Sequence, residues 1–203
     1  MYKKPIIVFE GIEGSGKSYH IKNVSNYLKQ KKIKFIKLRE PGGSRNSEKI
    51  RKLILNKKSN FDKITDLLLY MASRNENFNN ILLKNYKKKV ILIDRFLDST
   101  IAYQHYGMKV NLKIIKYINN FILKNVKVDF TFLNTVNKKN LKLRLKKRKN
   151  LNRYDKFDYK FYSNVQSGFL KLAKNKKNYL IVNSNLPIIE NKKIIINKLK
   201  KII

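Results

Sequence analysis

The chain has 203 residues, 42% hydrophobic and 30% charged, which suits one α/β domain with a substantial core. It has no cysteine and two histidines, which excludes disulfides and thiolate metal sites and argues against a histidine-built zinc centre. The net charge of +35 invites a nucleic-acid reading, but the lysines are scattered along the whole chain rather than clustered with aromatics, so they read as solvated surface and nucleic acid as an unlikely partner.

Pro5–Phe9 is a short apolar, β-branched run that reads as a buried strand. It is too short for a signal peptide and Glu10 ends it. No apolar run approaches membrane-spanning length, so the expectation is a cytoplasmic protein without a membrane partner. Gly11-Ile12-Glu13-Gly14-Ser15-Gly16-Lys17-Ser18 follows, with the G-x-x-x-x-G-K-[ST] spacing of a phosphate-binding P-loop. Residues 17–30 then read as an amphipathic helix with Ile21, Val24, Tyr27 and Leu28 on one side. The glycines let the backbone approach a phosphate, and free N–H groups at the helix start favour an anion. Lys17 is placed to reach the β/γ-phosphates and the Ser18 hydroxyl to bind Mg²⁺. The alternative is a Gly-rich turn matched by chance, against which the flanking strand and helix weigh.

A second strand, Ile33–Leu38, runs into Arg39-Glu40-Pro41-Gly42-Gly43, a sharp turn whose Glu40–Pro41 bond is a candidate cis peptide. Helices are predicted at about 47–56 and 62–86. The second sets Tyr70 and Arg74 four apart, on one face, where a ring and a guanidinium could hold a flat base. On spacing alone, a core tyrosine with a surface arginine is the better reading. A third strand, Val90–Ile93, ends in Asp94-Arg95: a carboxylate able to hold Mg²⁺ through water and a guanidinium able to grip a second phosphate, or an ordinary strand-end ion pair. Helices at about 111–124, 137–148, 157–175 and 188–202 alternate with strands Val128–Leu133 and Tyr179–Val182. This alternation predicts an α/β, P-loop NTPase-like fold, a five-stranded parallel sheet flanked by helices on both faces, with ligands beyond the carboxyl ends of the strands.

Of the 48 basic residues only eight are arginine: Arg39, Arg45, Arg51, Arg74, Arg95, Arg144, Arg148 and Arg153. Where composition drifts toward lysine, the remaining arginines should mark places where the planar fork matters, such as bidentate phosphate or base recognition.

Five segments carry a resemblance: Phe9 to Ser18, Arg39-Glu40-Pro41-Gly42-Gly43, Tyr70-Met71-Ala72-Ser73-Arg74, Asp94 to Gln104, and Asn152-Arg153-Tyr154-Asp155. In order and spacing they resemble the motifs of the bacterial thymidylate kinase family, over nearly the whole chain. The resemblance implies transfer of the ATP γ-phosphoryl group to dTMP, for dTTP synthesis, by a homodimer of single-domain chains (1–203). It implies that Gly11 to Ser18 bind the ATP phosphates and Mg²⁺, with Asp94 reaching the metal through water. Glu13 would face the dTMP sugar and phosphate, and Arg51 and Arg95 would hold that phosphate. Tyr70 would stack on thymine, where the family usually has Phe, and Arg74 would bind O4. Thr100 and Gln104 would read the pyrimidine edge, and Tyr103 would crowd the sugar C2′. Because the P-loop carries Gly14 rather than an arginine, catalytic arginines would come from a lid at about 144–155. Arg153 matches best and Arg148 next, while Lys146 at a neighbouring position cannot make a bidentate contact. Rival readings are a kinase for dUMP, dCMP or a deoxynucleoside, and a basic P-loop protein that binds nucleic acid and uses ATP as a switch.

Overall fold

Five short strands rich in Ile, Val, Phe and Leu form an all-parallel sheet in the order β2-β3-β1-β4-β5. They are β1 (Ile6–Glu10), β2 (Phe35–Arg39), β3 (Val90–Asp94), β4 (Phe130–Thr135) and β5 (Tyr179–Asn183). The computed structural model describes residues 4–124, 126–147 and 152–203. Successive residues of a strand face opposite sides, and both sides are covered here. Ile6, Val8, Ile91 and Ile93 enter one core; Ile7, Phe9, Val90 and Leu92 enter the other. That is why the strands read as unbroken apolar runs rather than alternating ones.

On the second side, α1 (Lys17–Gln30) lays Ile21, Val24 and Leu28 against the sheet beside Ile195 and Leu199 of the C-terminal helix. On the first, α3 (Lys63–Asn77) brings Leu67 and Met71, and α6 (Leu112–Leu123) brings Ile115, Ile122 and Leu123. Full burial of each such side chain stabilises by about 1.5–3 kcal/mol. Between them, α2 (Arg45–Leu55) starts two residues earlier than predicted, because the Ser44 hydroxyl caps it by accepting from the Ser47 N–H. The predicted helix 62–86 exists but is interrupted: α3 passes through a π-helical turn (Phe78–Leu82) into α4 (Leu83–Asn85).

One element has no counterpart in the sequence reading. After β3 the chain forms α5 (Leu97–Thr100), continued as a π-helical segment, Ile101–Gly107. Ser99, Thr100, Ile101, Ala102, Tyr103 and Gln104 are all buried. A helix buried on every side shows no amphipathic period, so its pattern carries no helical signal. The chain continues through α7 (Lys138–Lys146), a 3₁₀ turn at Arg153–Lys156, α8 (Tyr159–Ala173) and α9 (Ile188–Lys200). A third core joins Tyr162, Val165 and Phe169 of α8 to Ala102, Tyr103 and Tyr154.

Helix α8 lies against the 97–107 segment through Gly168, where an added Cβ would sit 2.5 Å from the Tyr106 ring. Gly168→Ala should therefore destabilise the fold by about 1–3 kcal/mol. The readout is Tm, which should fall by roughly 2–4 °C per kcal/mol in a chain of this size. An unchanged Tm would show that Tyr106 moves aside freely.

Candidate active site

The strand register brings Glu10, Arg39 and Asp94 to one edge of the sheet, since Phe9 and Arg39 both lie opposite Asp94. A cavity of about 480 Å³ opens there. The P-loop forms one end. Gly11 sits so close to β4 that a Cβ would meet the Asn134 carbonyl oxygen at 2.2 Å, which makes a side chain untenable. Lys17 curls over the loop, its Nζ donating to the carbonyls of Gly11 (2.9 Å) and Ile12 (3.0 Å). Burial, and then the nearby Arg95 charge, lower its amine to about 8. Glu13, Gly14, Lys17 and Ser18 line the cavity. Gly11, Ile12, Ser15 and Gly16 shape the loop behind them, Ile12 as a core residue and Ser15 through its carbonyl, which accepts from the Ser184 hydroxyl at 2.6 Å. Asp94 also lines the cavity, and its Oδ1 is buried with no partner among the described residues.

Arg95 occupies the left-handed region, φ +64°, a strained conformation for a residue with a side chain. Its fork reaches across to Glu13 Oε1 (2.9 Å) and the Gly11 carbonyl (2.8 Å), and it lies over the Tyr103 ring. The Tyr103 hydroxyl donates to the other Glu13 oxygen. Burial alone would raise the Glu13 carboxyl, but Arg95, Lys17 and this hydroxyl hold it below the ordinary range. The strand-end arginine thus pairs with the P-loop and not with its neighbour Asp94.

At the far end Arg74 is 2% exposed, the reverse of the surface position that spacing alone suggested. Its Nε donates to Glu40 (2.7 Å), Nη1 to Asn119 (2.5 Å), and Nη2 to the Phe96 carbonyl and the Thr100 hydroxyl (both 3.0 Å). Even with Arg74 beside it, burial keeps the Glu40 carboxyl above its ordinary value. Tyr70, half-buried, lines the wall, and burial followed by the Asp66 charge pushes its phenol well above the usual range, so it stays neutral. Arg51 donates to the Pro41 carbonyl at 2.6 Å, across the cis Glu40–Pro41 turn. Gln104 is fully buried at the cavity wall, its Nε2 on Asp66 and its Oε1 without a partner among the described residues.

Five of the eight arginines, Arg39, Arg51, Arg74, Arg95 and Arg144, line this one cavity, and among the described residues Lys17 is the one lysine that does. Arg45 is exposed and Arg148 lies outside the described residues. Arg153, which the resemblance makes the catalytic lid arginine, does not line this cavity. Its guanidinium is ion-paired with buried Asp66 and lies over the Phe61 and Tyr154 rings. A buried carboxylate needs a partner of opposite charge, and among the described residues Arg153 is the one paired with it. Arg144 occupies the P-loop position instead, donating to the carbonyls of Gly14 (2.8 Å) and Ser184 (2.6 Å). Sequence reasoning missed Asp66 and Asn119, and placed Arg144 at the start of the lid span without giving it a role of its own. Asp66 had a signal: 66, 70 and 74 fall on one helical face.

Behind the P-loop, Glu10 is 1% exposed and caps the start of α5. Its Oε1 accepts from the N–H groups of Phe96 (2.8 Å) and Ser99 (3.2 Å), and its Oε2 from the Ser99 hydroxyl (2.5 Å). Burial, and then the neighbouring Asp98, push its carboxyl up to about 7.

A P-loop facing a second cluster of arginines across one cavity defines a P-loop kinase. The thymidylate kinase family model matches residues 9–195. A thymidylate kinase of Sulfurihydrogenibium sp. is 36% identical over 198 residues, 96% of this chain and 96% of that protein. One from Thermosipho africanus is 37% identical over 183 residues, 90% of each. The solved structure of a thymidylate kinase from Ehrlichia chaffeensis, 29% identical, matches with a TM-score of 0.77 over 97% of this chain and 98% of that one. The chain belongs to the thymidylate kinase family.

Glu10 yields a pH test. Below pH 4.5 it is protonated in both folded and unfolded chains and contributes no difference. Between pH 4.5 and about 7 the unfolded chain releases its proton while the folded one keeps it, so Glu10 increasingly penalises folding, by a constant amount above that window. In urea melts, Glu10→Gln should gain stability relative to the unaltered protein as pH rises from 4.5 to 8. A gap that does not change with pH would show that Glu10 is ionised in the fold.

Proposed function

We propose that the chain transfers the γ-phosphoryl group of ATP to dTMP, giving ADP and dTDP. One observation carries this reading: a single cavity holds the P-loop at one end, the buried Arg74, Thr100 and Gln104 at the other, and Arg51 and Arg95 along its walls. The relatives named above support it. The acceptor is already an anionic phosphate, so no strong general base is needed, and catalysis is positioning plus neutralisation of charge on the transferring group. Lys17 and Arg144 take the ATP phosphates; Arg95, held by Glu13 and Tyr103, and Arg51 take the dTMP phosphate. Ser18 and the unpartnered Oδ1 of Asp94 face the same space, a donor set that fits Mg²⁺ held largely through water. Mg²⁺ bound there would neutralise phosphate oxygens.

Thymine offers N3–H between two carbonyl acceptors. Arg74 and Thr100 supply donors for O4, and Gln104 Oε1 an acceptor for N3–H. Cytosine has an amino donor and a bare ring nitrogen at those points, so it would leave buried groups unpaired. Tyr70 gives the ring a wall to stack on, and Tyr103 crowds the sugar C2′. The segment 144–155 acts as a lid on a single domain, with Arg153 anchored on Asp66 at the acceptor side. The setting is the cytoplasm; no helix among the described residues is long and apolar enough to cross a membrane.

The chain works as a homodimer. Helix α3 adjoins both α2 and α6, and the three expose Leu53, Ile64, Leu68, Ile114, Tyr117 and Phe121, the last two at 75% and 76%. Such exposure on adjoining helices marks an interaction surface, and a second copy pairs it through a two-fold contact.

The first test is ADP release with ATP·Mg²⁺ and, in parallel, dTMP, dUMP, dCMP, dGMP and thymidine. Turnover chiefly with dTMP is expected; preference for another acceptor would overturn the base pocket, and no turnover the whole reading. Arg144→Ala should lower kcat/KM for ATP about 10- to 100-fold, the size of a lost charge-assisted hydrogen bond, and leave KM for dTMP within about twofold. Equal damage to both would remove Arg144 from the ATP side. In sedimentation, the unaltered chain should run as a dimer and Phe121→Glu as a monomer; an unaltered chain that runs as a monomer refutes the dimer.

A further inference from the structure

Asp66 lies behind the cavity rather than in it. It is 1% exposed, on α3, one turn before Tyr70. Its two oxygens gather three side chains. Oδ2 accepts from Gln104 Nε2 at 3.3 Å and from the Tyr154 hydroxyl at 2.6 Å. Oδ1 accepts from Arg153 Nη2. The Tyr154 carbonyl is in turn held by the Tyr162 hydroxyl of α8 at 2.9 Å.

A glutamine amide has a donor end and an acceptor end of nearly the same shape, and only its partners decide which way it faces. An ionised carboxylate accepts and cannot donate. It therefore fixes the Gln104 amide with Nε2 inward and Oε1 outward. Oε1 is buried at the cavity wall without a partner among the described residues. A buried carbonyl oxygen left so is costly unless a donor meets it. We propose that Asp66 is a positioning residue for base specificity: by holding the Gln104 amide it makes the pocket accept a hydrogen bond from the base, and so favours a pyrimidine with a protonated N3 over one without. The inference rests on the reading above that the base of a nucleoside monophosphate sits against Gln104. It assigns the choice between thymine and cytosine in part to a residue that touches neither.

Asparagine at position 66 reverses the polarity. If its oxygen stays with Arg153, at the Oδ1 position, its NH₂ takes the Oδ2 position against Tyr154 and Gln104; the tyrosine hydroxyl can turn to accept, and the Gln104 amide must turn and present NH₂ to the base. Asp66→Asn should then raise KM for dTMP about tenfold or more. It should lower the ratio of kcat/KM for dTMP over dCMP by a similar factor and leave KM for ATP within about twofold. Gln104→Ala, made alone and in the Asp66→Asn background, completes a double-mutant cycle. The losses of selectivity should not multiply, because both changes cut one contact. An unchanged ratio in Asp66→Asn, or losses that multiply, would overturn the proposal. Should Asp66→Asn fail to fold by circular dichroism, Asp66→Glu keeps an accept-only group; it should hold the ratio within about twofold, and a collapse of the ratio would also overturn the proposal. An unaltered enzyme without dTMP turnover would instead remove the reading beneath it.

Discussion

A guanidinium taken out of water must find partners for its donors or lose more free energy than most folds can spare. Arg74 meets that demand with four partners drawn from four places: Glu40 after β2, Asn119 on α6, the Phe96 carbonyl after β3 and Thr100 on α5. The turns after β2 and β3 already lie side by side because those strands pair, whereas α6 lies outside the sheet. The buried cation therefore sets how the turn after β2, the 97–107 segment and α6 stand around the far end of the cavity. A buried ion pair contributes little net stability, and the burial that raises the Glu40 carboxyl agrees with this. What it contributes is one defined arrangement of the wall that a base would meet.

The arginines near the cavity fall into two sorts. Arg39, Arg74, Arg95 and Arg153 each have a carboxylate: Glu48, Glu40, Glu13 and Asp66. Arg51 and Arg144 lean on main-chain carbonyls, those of Pro41, Gly14 and Ser184. A carbonyl orients a guanidinium without neutralising it, so these two keep their charge for an anion. The paired ones are fixed in position by their carboxylates. This division explains how a chain with 48 basic and 13 acidic residues still has ordered chemistry at its centre. The acids are few, and four of them serve as anchors for arginines there.

The lysines tell the opposite story. They cover the surface, and among the described residues the cavity takes one of them, at the position where a flexible point charge suits a phosphate. The preference for arginine inside the site follows from its rigid fork, which supplies several donors in one plane while remaining charged when buried. Net charge alone was a poor guide to function here. The identity of the cation at each position was a good one.

The five strands, the P-loop and the turn after the second strand were legible in the residues alone. Their signals are local: unbroken apolar runs, glycines at fixed offsets, and polar residues where a strand ends. The sequence also marked Tyr70 and Arg74 as neighbours on one face. Only the tertiary structure decided which of that pair is buried, that Arg144 rather than Arg153 meets the P-loop, and that residues 97–107 form a helix. The contacts behind those outcomes join residues far apart in the chain, Arg74 to Asn119, Arg153 to Asp66, Arg144 to Gly14, and no periodicity records them. They arise when parallel crossovers stack distant segments at one edge of the sheet, where buried charges take the partners that the strand order brings within reach.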